Sequence, residues 1–402
     1  MAARKSKRIV LALCLAALAD LLTSLFLIRD GVFFNRPLPP FGARTHSNQL
    51  ATLEKMGSEP RGNWVFDREL GWNWRPTSVS EDGRYVINAL GARGPREYAP
   101  APQPGTRRIL TFGDSFTFCD EVASEDSFQA QLEVLEPGLE VLNFGVSGYG
   151  TDQAWLRYRR VGRGLEAEVV CIGLMLENIG RNVNRYRPLW ATRTGVCVTK
   201  PRFVLDEGGA PVLVAQPYAT RDELLAAILD DSVLERVAEH EYWLGRPTVP
   251  SGRLSAFVRL FAGYLAYRER SPARLWREPA GEPFRVTLAL LEHFQREALA
   301  DGARLAPVLV FPAKEDLARY ALTGRPYWSE LYAELERRGL PFLDLIEPLV
   351  ARARAEPDEH GVQRLYEGGH LSALGNAVVA RALGEWLRAR AAGAPAVVPA
   401  ER

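Results

Sequence analysis

From residue 108 onward the chain sets out short apolar runs, and three of them end in turns of glycine, serine or asparagine. The run 108–112 leads into Gly113-Asp114-Ser115, and the run 139–144 leads into Gly145-Val146-Ser147-Gly148-Tyr149-Gly150. The run 169–174 leads into Leu176-Glu177-Asn178. Two more, 306–311 and 341–345, each follow a helical stretch, and a helix is expected from 372 to about 390. Amphipathic spacing places further helices near 127–135 and after Thr151, a residue suited to an N-cap. Strands that are apolar throughout are buried on both faces, and their alternation with helices predicts an α/β fold with a central parallel sheet. In such sheets the ligand crevice lies beyond the carboxyl ends of the strands, which is where the Ser, Gly and Asn turns fall.

Composition narrows the function classes. The 402 residues are 47% apolar and 25% charged, the balance of an ordinary globular protein large enough for a sizeable core. A net charge of +1 supplies no basic field for nucleic acid. The four cysteines, Cys14, Cys119, Cys171 and Cys197, form no CxxC pair, so neither a metal nor a cofactor is expected, and a disulfide-stapled scaffold is excluded.

The N-terminus carries Arg4, Lys5, Lys7 and Arg8 ahead of an apolar run from Ile9 to Ile28. Twenty residues at about 1.5 Å each span about 30 Å, the thickness of a bilayer core. Basic residues before the span place the N-terminus in the cytoplasm and the body outside it, periplasmic or extracellular. Asp20 is the flaw, since a carboxylate within the span costs roughly 2.5–3.5 kcal/mol. Three readings stay open: a single-pass signal-anchor, a signal peptide cleaved after Ala17-Leu18-Ala19, and a buried helix of a soluble protein.

The expected organisation is a cytoplasmic tail (1–8), a transmembrane segment (9–28), a Pro-rich linker (29–62) and a β-rich extension (63–107). The main domain (108–391) is interrupted by a long, largely helical insertion (181–285), and a disordered tail (392–402) follows.

The ordered set of Gly-Asp-Ser after the first strand, Asn143 to Gly148 after the second, Glu177-Asn178 after the third and Glu367-Gly368-Gly369-His370-Leu371-Ser372 before the last helix resembles the SGNH/GDSL hydrolases. The resemblance covers about residues 108–391. It implies a flavodoxin-like three-layer α/β/α sandwich and a serine esterase acting on acyl esters. Residue by residue, it implies Ser115 as nucleophile and His370 as base. It gives the oxyanion hole as Ser115 N–H, Gly148 N–H and Asn178. The family usually has Gly-x-Asn-Asp where this chain has Leu176-Glu177-Asn178-Ile179, and usually an Asp where Glu367 stands three residues before the histidine. Glu367 is therefore expected as the acid that orients His370.

The residue types suit the chemistry. A serine hydroxyl becomes a useful nucleophile when an imidazole takes its proton, and the tetrahedral oxyanion needs fixed donors. Of the five histidines, His46 falls in the linker and His240 and His293 in helical stretches, which leaves His360 as the rival of His370. Cys119, four residues after Ser115, is expected to be a small buried residue.

The insertion starts with a basic loop in which Arg181, Arg185 and Arg187 are candidates for binding an anionic sugar or phosphate, or else a solvated face. Placed beside the crevice, the insertion is expected to form a lid or wall. Trp64, Trp72, Trp74 and Trp190 suit sugar stacking or packing between segments. Three functions stay open: hydrolysis of O-acyl esters, acetyl first, on extracytoplasmic carbohydrate; acyl transfer to a polysaccharide by the same Ser-His chemistry, since anchored relatives take part in polysaccharide acetylation; and an inactive carbohydrate-binding scaffold.

Overall fold

A computed structural model describes residues 2–29, 32–33, 36–37, 47–56, 63–191, 194–244, 255–355 and 361–392. Most of the expected linker, the tail beyond 392, His46 and the rival His360 lie outside the described residues.

The N-terminal helix α1 (Ala2–Leu22) continues as a helical turn to Leu27, and its apolar stretch Lys5–Leu27 is nowhere buried. Five strands build the sheet: β1 (Arg107–Phe112), β2 (Leu139–Asn143), β3 (Val169–Met175), β4 (Val308–Phe311) and β5 (Phe342–Asp344). All pairings are parallel and the spatial order is β2-β1-β3-β4-β5. Every residue of β3 and β4 is buried, as runs covered on both faces require. Among the helices, α2 (Phe128–Leu135) lies between β1 and β2, and α3 (Thr151–Arg157) between β2 and β3. The insertion carries α4 (Ala256–Arg270); α5 (Glu282–Ala300) leads to β4, and α6 (Ala373–Ala391) ends the described chain. α2 packs with α6, while α3 packs with α5. Right-handed crossovers put these pairs on opposite faces, because the chain leaves β1 in one direction and returns past it in the other. The α/β fold and its helix-flanked parallel sheet are thus as expected.

That reversal creates a switch point between β1 and β3, and the turns that follow those two strands carry Ser115 and Asn178. The close approach of these turns depends on Gly113 and Gly173, since a side chain at either would collide with Thr117.

Two small hairpins of the extension, Trp64–Asp67 with Gly71–Trp74 and Ser78–Val79 with Val86–Ile87, pack beside the sheet. Within the stretch expected as linker, Ser47–Lys55 is a helix, with Leu53 and Met56 at its end buried in the main core. The insertion forms a hairpin, Arg202–Leu205 with Pro211–Val214, and the helices Arg221–Leu229 and Val233–Val237 before α4.

Candidate active site

Ser115 opens a single helical turn, Ser115–Phe118, directly after β1. The preceding Asp114 is extended, and its carboxylate accepts the Phe116 N–H at 3.0 Å, which aims the start of the turn at the crevice. Asp114 is buried, and burial pushes its carboxyl above the ordinary range against the pull of Arg181. Arg181 Nη1 donates to Asp114 Oδ2 at 3.1 Å and to the Tyr149 carbonyl at 3.3 Å. Arg181 therefore braces the turn from behind.

After β2, Asn143 shapes its own loop. Its Oδ1 accepts the Gly145 N–H at 2.9 Å and its Nδ2 donates to the Phe118 carbonyl at 3.2 Å, joining this loop to the Ser115 turn. Gly148 has φ +82°, a backbone that disfavours any side chain. A Cβ there would also stand 3.4 Å from both Arg187 Nη2 and Trp72. The Gly148 carbonyl accepts from Arg187 at 2.9 Å, which fixes the orientation of this peptide from one side.

After β3, Asn178 starts the short helix Asn178–Arg181 and is completely buried. Neither its amide nitrogen nor its carbonyl oxygen has a hydrogen-bond partner among the described residues. An unpaired buried amide costs roughly 1–3 kcal/mol, so it needs a reason.

His370 lies in a two-residue strand, His370–Leu371, paired with Tyr366–Glu367, and this hairpin packs on the Ser115 turn. The His370 and Phe116 rings stand 5.4 Å apart. Ser115 and His370, 255 positions apart in sequence, are thus brought to neighbouring backbone. Among the described histidines, His240 pairs with Glu239 and His293 bonds its own helix at the Ala289 carbonyl, both in the segments where the sequence put them.

Two acids stand nearest the imidazole, and sequence reasoning missed both. Asp120 Oδ2 lies 3.8 Å from His370 Nε2, and Glu121 Oε1 lies 3.6 Å from Nδ1. Burial raises the Asp120 carboxyl against the opposing pull of His370, and the Ser147 hydroxyl donates to it at 2.6 Å. The signal was an acidic pair five and six residues after Ser115, passed over because nothing local aims it at a histidine. The Glu367 side chain is exposed and makes no hydrogen bond or ion pair among the described residues.

Solved structures similar to this chain include Axe2, an acetylxylan esterase from Geobacillus stearothermophilus. It is 14% identical, with 74% of this chain and 99% of that one covered and a TM-score of 0.36. A putative lipolytic protein of G-D-S-L family from Desulfitobacterium hafniense is 12% identical, with 70% and 99% covered and a TM-score of 0.32. LAE5, an alpha/beta hydrolase enzyme from the metagenome of Lake Arreo in Spain, is 12% identical, with 69% and 93% covered and a TM-score of 0.35. No family model matches the sequence, and no curated protein is similar to it.

The basic loop is internal. Arg185 is buried and donates to the Ala215 carbonyl at 2.7 Å, while its backbone N–H meets Glu241. Burial lowers Arg187 to about 9. Trp72 and Trp74 are core residues, and Trp72 Nε1 donates to the Ser147 carbonyl at 3.0 Å. Trp190 packs against Gly180 and Trp243. Burial pushes the Cys119 thiol up to about 12, which removes it as a nucleophile. Two cavities of about 630 and 590 Å³ are lined by other residues and include neither Ser115 nor His370. Among the described residues no cluster of His, Cys, Asp or Glu has the arrangement to hold a metal ion.

Proposed function

We propose that this chain is a membrane-anchored serine esterase that hydrolyses O-acyl esters, acetyl first, on extracytoplasmic carbohydrate. The observation that carries the reading is the completely buried Asn178 amide after β3, without a hydrogen-bond partner among the described residues and across the switch point from Ser115. A buried amide without a hydrogen-bond partner among the described residues is costly in the resting protein and useful when an oxyanion accepts from it.

In this reading Ser115 Oγ attacks the acyl carbon while His370 takes the hydroxyl proton. The negative charge on the former carbonyl oxygen is met by Ser115 N–H, Gly148 N–H and Asn178 Nδ2. Collapse expels the sugar alcohol, which receives the proton from His370 and leaves an acyl-serine. Water then attacks this ester, again giving a proton to His370, and the second collapse releases the acid and restores Ser115. The same intermediate would serve acyl transfer, but an acceptor sugar must be bound well enough to outcompete water. Arg181, Arg185 and Arg187 are buried and donate to Asp114 and to the Ala215 and Gly148 carbonyls, which weighs against an acceptor subsite on the basic loop and favours hydrolysis. The anchor reading rests on the unburied apolar helix Lys5–Leu27 and the basic residues ahead of it.

The test is a fluorophosphonate label followed by peptide mapping. Modification of Ser115, lost in Ser115→Ala together with turnover of a short-chain aryl acetate, supports the reading. Label on Ser147, or persisting in Ser115→Ala, rejects it. Supplying an activated acetyl donor with oligosaccharides then separates free acetate from acetylated sugar.

A further inference from the structure

Helix α4 is inverted relative to a helix of a soluble protein. Its buried residues are Ala256, Gly263, Ala266 and, at the C-terminal end, Arg270, so three of the four are small. Its outward face carries Phe257, Val258, Phe261, Tyr264 and Leu265, spaced so that they form one stripe. Phe257, Phe261 and Tyr264 are 60%, 65% and 57% exposed, far above what aromatic rings on a water-facing helix require.

The stripe begins at α1. Asp20, the carboxylate that stands out in the apolar N-terminal run, accepts the Phe257 N–H at 2.7 Å, while Ser255 caps the next amide at Val258. Asp20 thus meets the positive end of a 15-residue helix, the position where a carboxylate is favoured. Ile28 and Ala256 are buried together, with Leu260 packed on them. Leu27, the outer end of the apolar stretch, lies seven positions beyond Asp20, so the junction lies about 10 Å below that end. Helices that lie in a membrane interface sink about 5–10 Å.

We infer that the Phe257–Leu265 face of α4 is a membrane-docking surface, bedded in the leaflet from which α1 emerges. The inference rests on the anchor reading above. Its occupant is the phospholipid bilayer, because the stripe is continuous with the unburied apolar surface of α1 through the Asp20–Phe257 contact. Docking holds the catalytic face near the membrane, since Trp276, shortly after α4, donates to the Leu176 carbonyl at 2.8 Å, two residues before Asn178.

The test uses the full chain reconstituted in phosphatidylcholine vesicles. Cys14→Ser leaves only the buried Cys119, Cys171 and Cys197, so a bimane dye can be placed singly at Leu18→Cys, Phe261→Cys, Tyr264→Cys or Leu322→Cys. Leu322 is 88% exposed, the highest among the described large apolar residues, and serves as the water-facing control. Expected is loss of most dye fluorescence to brominated lipid at 18, 261 and 264, with protection from aqueous iodide, and the reverse at 322. Lipid quenching at 18 with iodide quenching at 261 and 264 overturns the docking surface and leaves the anchor standing. Iodide quenching at 18 as well overturns the anchor and the docking surface together. Dyes at 261 and 264 shielded from both quenchers, with disulfide cross-links between copies when the unlabelled Phe261→Cys and Tyr264→Cys proteins are oxidised with copper phenanthroline, assign the stripe to a second copy and overturn the proposal.

Discussion

Glu121 Oε1 stands 3.6 Å from His370 Nδ1, and it reaches that position from a backbone with φ +77°. A non-glycine residue in the left-handed region costs of order 1–3 kcal/mol and persists where its surroundings hold it. Here Arg93 donates to the carbonyls of Phe118, Cys119 and Val122. Tyr85 accepts the Glu121 N–H at 3.0 Å, and Arg84 donates to the Glu121 carbonyl at 3.2 Å. The aromatic and basic residues of the extension therefore buttress the loop that brings acids to the histidine.

Glu121→Gln is expected to lower kcat by roughly 10²-fold or more with KM little changed, as loss of an imidazole-orienting carboxylate does. Glu367→Gln, at an exposed side chain that is unpaired among the described residues, is expected to cost less. Steady-state kinetics on a short-chain ester with matched circular dichroism checks the pair. Loss confined to Glu367→Gln would assign the orienting role to Glu367.

Asn178→Ala removes a proposed oxyanion donor and is expected to cost about 10²–10³ in kcat. Stability should hold or rise, because the amide makes no hydrogen bond among the described residues in the resting protein. Activity unchanged in a folded variant would leave Asn178 a buried turn residue only.

Lys200 and Asp152 form an ion pair with both side chains wholly buried, joining the insertion to α3. Burial pushes the Asp152 carboxyl up and the Lys200 ammonium down, each opposed by its partner. Lys200→Met strands the carboxylate and is expected to destabilise by about 3–5 kcal/mol. Adding Asp152→Asn should recover part of that loss in denaturant unfolding, and no recovery would mean that lost packing dominates.

Asp344, at the end of β5, is raised by burial from 3.8 to about 6, against a hydrogen bond from Ile346 N–H at 2.8 Å. Between those values the folded protein binds more protons at this site than the unfolded chain does, so its contribution falls as pH rises from about 4 to about 6. Asp344→Asn is expected to flatten that part of the profile of thermal midpoint against pH. An unchanged slope would show that Asp344 is not the group responsible.

The sequence alone determined the parts whose cause is local. Strands apolar throughout must be covered on both faces, and turns of Gly, Ser and Asn must end them, so the parallel sheet and the placing of Ser115, Gly148 and Asn178 after its first three strands were legible. The N-terminal apolar helix was legible for the same reason, from length and composition. Tertiary structure decided the rest. Nothing in the spacing of residues 118–122 indicates that Asp120 and Glu121 face His370, because that meeting depends on Arg93, Tyr85 and Arg84 forcing a loop into the left-handed region. Arg181 and Arg185 read as a solvated or ligand-binding face, yet both are buried, and they donate to Asp114 and to the Ala215 carbonyl. Asp20 read as a flaw in a membrane span until a helix 237 residues away supplied the amide that it accepts. Hydrophobic period and turn chemistry act over a few residues, whereas charge pairing is settled by whichever distant segments packing brings together.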